Sequence, residues 1–127
     1  MPRYFTLEEA NAALDLIRPW MDEIQVIREG LLRRRPEVWP VIVSAAGNGG
    51  SRTASELAFE FERFDTLVHR IKDLGVEIKD LTTGLLDFPA MRRGRVVYLC
   101  WKHGEGEIAF WHEVESGFAG RQPIETF

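Results

Sequence analysis

The chain has 127 residues, 45% of them hydrophobic, and its 16 basic and 20 acidic side chains give a formal net charge of -4. That length closes one core and leaves nothing over for a second, and the acidic balance repels a polyanion at long range, so nucleic acid is not an expected partner. No run approaches the ~20 consecutive apolar residues of a membrane helix and the start has no apolar signal core, so no membrane partner is expected and the cytoplasm is the expected compartment.

The first element opens at Thr6-Leu7-Glu8-Glu9, a capping box in which the Thr6 hydroxyl and the Glu9 carboxylate answer each other's orphan amides. Apolar residues then recur at Leu7, Ala10, Leu14, Ile17, Met21, Ile24 and Leu31, the stripe of one helix face, with Ile27 beside the gap at Arg28. Pro19 stands inside the stripe and predicts a kink near residues 15–20, with the helix resuming beyond it. Arg33, Arg34 and Arg35 close the pattern, where cations complement the helix dipole.

Pro36 and Pro40 predict the end of regular structure and a long loop over 36–50, with the glycines of Gly47-Asn48-Gly49-Gly50 its most mobile part. A second helix is expected from Ser51 to Ser55 onward, with its stripe at Ala54, Leu57, Phe61, Phe64, Val68 and Ile71 and Gly75 as a left-handed cap. Two stripes of matching period on either side of one loop predict an antiparallel pair.

After Gly75 the period becomes two. Val76 and Ile78, then Leu85, Leu86 and Phe88, flank the turn-like Thr82-Thr83-Gly84, and residues 96–102 and 107–114 flank His103-Gly104-Glu105-Gly106. Pairing Lys102 with Glu107 puts Trp101, Leu99 and Val97 on one face with Ile108, Phe110 and His112, and Cys100, Tyr98 and Val96 on the other with Ala109, Trp111 and Glu113. Both faces are then apolar, so the tail after residue 115 or a second subunit should cover the face that the helices leave open. The expected fold is α+β in a single domain, 1–127: a long antiparallel helical hairpin (1–75), a small antiparallel β-meander of about four strands (76–115) and a tail (116–127).

Chemistry is harder to place. Residues 41–53 run apolar, then glycine-rich, then toward a helix, but Ser51-Arg52-Thr53 lacks the lysine of a phosphate loop. Cys100, the single cysteine, reads as a small buried hydrophobe. His112 and Glu113 point to opposite faces of one strand and cannot share an ion, so no metal set is predicted and His112 reads as a hydrogen-bonded core residue. The arginines at 92, 93 and 95 read as solvated structure, with an anion site as the lesser alternative.

The segments Gly84-Leu85-Leu86-Asp87-Phe88-Pro89-Ala90, Leu99-Cys100-Trp101, Phe110-Trp111-His112-Glu113 and Gly117-Phe118-Ala119-Gly120-Arg121-Gln122-Pro123, with Phe5-Thr6-Leu7-Glu8-Glu9-Ala10-Asn11 at the start, resemble a bacterial family known as domain of unknown function 2203. The resemblance brings no activity or cofactor, but it implies that Asp87, Trp101, His112, Glu113 and Arg121 occupy signature positions and are the candidate ligand-binding residues. Asp87 and Glu113 with Arg121 could equally form an ion-pair network that pins the tail. The leading expectation is a homo-oligomeric, dimeric interaction module; the alternative is a small-molecule-binding protein or enzyme using the polar cluster of the sheet, with metal assistance as one form of it.

Overall fold

Thr6 starts the first helix, α1 (Leu7–Arg34), as its hydroxyl suggests: Glu9 N–H donates to Thr6 Oγ1 at 3.1 Å and Thr6 N–H to Glu9 Oε1 at 2.9 Å. The structure, a computed structural model, describes residues 3–45 and 58–127. Ala10, Leu14, Ile17, Met21, Ile24 and Leu31 are fully buried, so the predicted stripe is the packed face. At roughly 1.5–3 kcal/mol per large buried side chain, that face outweighs the cost of about 3 kcal/mol for an interior proline. Accordingly α1 runs through Pro19 as one element.

The expected loop over 36–50 is a helical corner in its described part. Pro36 opens a single 3-10 turn (Pro36–Val38) and Pro40 stands second in a short helix, α2 (Trp39–Ala45). Proline breaks a helix interior but suits a first turn, where its missing N–H would have had no partner. Val38, Trp39 and Ile42 are buried, and the Trp39 ring meets Phe64 edge-on at 5.4 Å. The apolar run before the glycines is therefore helix and lacks the strand that a phosphate loop follows. The glycine run itself and the expected helix start at 51–55 lie outside the described residues.

Helix α3 (Ala58–Asp73) buries Phe61, Phe64, Leu67, Val68 and Ile71 against α1. Arg34 pairs with Glu60, Glu23 with Arg63, and Trp20 lies under Arg70, an order that makes the two helices antiparallel. Gly75, at φ +92°, donates its N–H to Lys72 O at 2.9 Å and ends the helical half. Among the described residues no helix is long and apolar enough to cross a membrane.

The remainder is a five-stranded antiparallel meander in chain order: β1 (Glu77–Asp80), β2 (Leu85–Arg92), β3 (Arg95–Lys102), β4 (Phe110–Glu113) and β5 (Gln122–Pro123). The Asp80 carboxylate accepts from Thr82 N–H and Thr83 Oγ1 to shape the first turn. Arg93 (φ 52°) and Gly94 (φ 81°) make the two-residue turn between β2 and β3, both left-handed as a tight hairpin turn requires. The tail supplies β5, the strand beyond the four expected.

The β3–β4 register differs by one residue from the expected pairing. Tyr98 faces His112, Leu99 faces Trp111 and Cys100 faces Phe110. A slip of one exchanges every side chain between faces, so Trp111 joins Leu99, Trp101 and Phe88 in the core, while His112 and Phe110 turn to the outer face. The cause lies in residues 103–109, which are no tight turn. Asn11 Oδ1 accepts from Ile108 N–H at 2.8 Å, Arg18 Nη2 and Trp101 Nε1 both donate to Gly106 O, and Glu105 accepts from Lys102 N–H. Helix α1 thus shapes a wide connection whose parity no strand pattern reveals.

Candidate functional site

The outer face of the sheet carries Asp87, Pro89 and Met91 from β2, Val96, Tyr98 and Cys100 from β3, and Phe110 and His112 from β4. Strand alternation alone would leave this face wet, yet Asp87 and His112 are each 2% exposed and Cys100 is fully buried. The tail provides part of the cover. The Arg121 guanidinium stacks 4.0 Å above Phe110 and 4.6 Å from Phe118, and it holds Glu105 through Nη1 to Oε2 (2.8 Å) and Nη2 to Oε1 (2.7 Å).

His112 makes two ring contacts that fix its protons. Its Nδ1 lies 2.7 Å from the Glu113 carbonyl oxygen, which can only accept, so Nδ1 carries a hydrogen. Nε2 lies 3.0 and 3.1 Å from the two oxygens of Asp87, so a proton sits between ring and carboxylate. Cys100 stands opposite Asp87 across the β2–β3 ladder. Burial pushes its thiol up to about 12, with the Asp87 charge adding to the rise and the nearby Arg121 opposing it. The donor atoms of Asp87, Cys100 and His112 all lie within 4.8 Å of one another.

Tyr98 connects this buried cluster to the surface. Its ring centroid is 5.5 Å from that of His112, and its hydroxyl donates to the Glu77 carboxylate at 2.9 Å. Burial, and then the Glu77 contact, raise the phenol above its ordinary value. Lys79 Nζ sits 4.6 Å over the same ring and 2.9 Å from Glu77; burial disfavours its charge, but Glu77 outweighs burial and the ammonium is held more firmly than usual. Tyr98 also lines an open groove of about 640 Å³ with Arg3, Lys72, Glu77, Pro89 and Val96.

Of the five residues named from sequence, the fold brings Asp87 and His112 together and sets Arg121 beside Cys100, its Nη2 3.5 Å from the Cys100 carbonyl oxygen. Trp101 is buried on the helix-facing side, and Glu113 lies on that side too, paired with Arg95 at 2.6 Å. Neither side chain reaches the cluster, although the Glu113 carbonyl does. Sequence reasoning missed Cys100 and Tyr98 as members. Their even numbering with His112 was the available signal, and the slipped register concealed it.

The family described as an uncharacterized conserved protein, DUF2203, matches residues 3–124. The chain belongs to that family. No curated protein and no solved structure matches it.

As it stands the cluster suits binding rather than covalent or acid-base chemistry. A thiol at about 12 is protonated near neutrality and is a poor nucleophile. The His112 ring has one nitrogen committed to Glu113 O and the other to Asp87, so it offers no free lone pair to act as a base.

Proposed function

We propose that the protein is a cytoplasmic small-molecule-binding protein whose site is the outer-face groove, backed by the Asp87–His112 pair. The observation that carries this reading is a proton-sharing acid–imidazole pair with 3% exposure on each side chain, in ring contact with Tyr98, which lines a groove. Burying an acid and an imidazole costs free energy that their mutual hydrogen bond only partly returns, and an apolar pair of similar volume serves packing as well or better. Arg3 and Lys72 bring cationic groups to the groove beside the carboxylates of Asp73 and Glu77, of which Glu77 is already held by Lys79 and Tyr98, and Pro89, Val96 and Tyr98 provide an apolar surface. The ligand class that matches is a small organic acid with an apolar or aromatic body.

Titration with a panel of aromatic and aliphatic carboxylates, followed by amide NMR, tests this. Shifts at Val96 and Tyr98 are expected, with affinity weakened about tenfold, or about 1.4 kcal/mol, by Lys72→Ala. A flat titration across the panel refutes it.

A second reading is favoured by Met91, on the outer face of β2, and by Phe118 beside the Arg121 guanidinium, each 46% exposed. We propose that this face also docks a second copy of the chain. Sedimentation at micromolar concentration checks the point, and a strictly monomeric species counts against it.

A further inference from the structure

Asp87, Cys100 and His112 are three different donor types contributed by three neighbouring strands. Asp87 and Cys100 are directly opposed in the β2–β3 ladder, and His112 is diagonal to Cys100 across the β3–β4 ladder, where it opposes Tyr98. We propose that these three side chains form a binding site for a divalent cation of the zinc type, with one oxygen, one sulfur and one nitrogen ligand and a fourth position left for water. The proposal deepens the small-molecule reading and rests on its claim that the outer-face cluster is a site rather than a brace.

The donor set matches the ion. Zinc is borderline in softness and takes thiolate, imidazole and carboxylate at about 2.0–2.3 Å, and three protein ligands with one open position are the pattern of its reactive sites. Tetrahedral donors at those lengths stand about 3.3–3.8 Å apart. The three donor atoms are already within 4.8 Å of each other, and the Asp87–His112 separation of 3.0 Å needs to widen by only a few tenths of an ångström.

A second observation points the same way. A histidine that binds metal through one nitrogen commonly donates its other N–H to a carbonyl or carboxylate, which fixes the ring and its tautomer. His112 Nδ1 makes such a bond to Glu113 O at 2.7 Å and leaves Nε2 directed at Asp87. The proton between Nε2 and the carboxylate occupies the place where the cation would lie.

Loading balances as an exchange. One divalent ion enters, the thiol releases one proton, and the proton between His112 and Asp87 leaves as the second. The ion supplies the charge that a buried thiolate otherwise lacks, and the Arg121 guanidinium beside Cys100 assists it. No oxidant or reductant is required.

The test uses the full chain, stripped with chelator and titrated with Co²⁺ both as folded protein and during refolding. The expected result is one ion per chain, with intense visible bands of a tetrahedral site and a near-ultraviolet sulfur-to-cobalt charge-transfer band, both bleached by Zn²⁺. Cys100→Ser should remove the charge-transfer band and weaken binding at least about tenfold, while circular dichroism shows it folded. Absence of bound Co²⁺ and Zn²⁺ under both loading conditions overturns the proposal, as does a cobalt spectrum unchanged in Cys100→Ser. If cobalt fails while the carboxylate titration at the groove still shifts Tyr98, the metal assignment alone falls; if both fail, the small-molecule reading falls with it.

Discussion

Removing either partner of the Asp87–His112 pair should destabilise the protein, and by unequal amounts. In Asp87→Leu, His112 keeps its Nδ1 bond to Glu113 O and loses only its contact with the carboxyl, a cost of about 1.5–3 kcal/mol. In His112→Phe the carboxylate stays buried without its cation, and the cost is that of a broken buried pair, about 3–5 kcal/mol. The double variant Asp87→Leu/His112→Phe leaves no stranded charge and should return to within about 1–2 kcal/mol of the parent, or exceed it. With a urea dependence of about 2 kcal/mol per molar, the larger single effect moves the unfolding midpoint by about 1.5–2.5 M. Urea unfolding of the four proteins at pH 7.5, combined as a double-mutant cycle, gives the coupling directly. Two single substitutions that each cost under about 1 kcal/mol and simply add would show that the pair is not buried as described, and the argument for a site behind Tyr98 would lose its basis.

Three further outcomes follow from other elements. Thr6→Ala removes the acceptor for Glu9 N–H and should cost about 1 kcal/mol, read as a lower thermal midpoint. Gly94→Ala puts a side chain at φ 81°, where only strain and not crowding opposes it, and should cost about 1–2 kcal/mol; an unchanged midpoint would deny the left-handed turn. Glu105 is opposed by its own burial, but the Arg121 contact and the Lys102 N–H hydrogen bond prevail and hold its carboxyl below the ordinary value. A depressed carboxyl contributes stability above its unfolded value near 4.5, and that contribution fades as pH falls through the folded value. Glu105→Gln should therefore lower stability at pH 7 and flatten the loss below about pH 4.5; parallel stability curves for the two proteins would refute the assignment.

How much of this was readable in the sequence depends on whether a residue's position follows from near neighbours. The Thr6 cap, the α1 stripe, the Gly75 cap and the change to period two were all local, and each appears in the structure where the pattern put it. Pro36 and Pro40 mislead because a proline's effect depends on its place in the turn, and that place is set by the burial of Trp39 against Phe64 of α3 and of Ile42 in the core. The site was legible only in part. Asp87, His112 and Arg121 could be named from the resemblance, but which side chains share a face depended on the connection at 103–109. That connection is shaped by Asn11 and Arg18, some ninety residues earlier in the chain. The resemblance groups Trp101 and Glu113 with residues from which the sheet separates them, and the apolar run around Cys100 points to packing first and to a reactive thiol only as the lesser alternative.

The two outermost strands limit how the protein can meet another chain. At one margin β5 is only Gln122 and Pro123, and a proline offers no amide hydrogen to an incoming strand. At the other, β1 is four residues long, irregular between Ile78 and Asp80, and carries charged side chains at three of its four positions. Neither border can template a continuous intermolecular ladder, so the protein is guarded against fibre-like growth from its rims. Any association is therefore expected broadside, through whole surfaces rather than through an added strand.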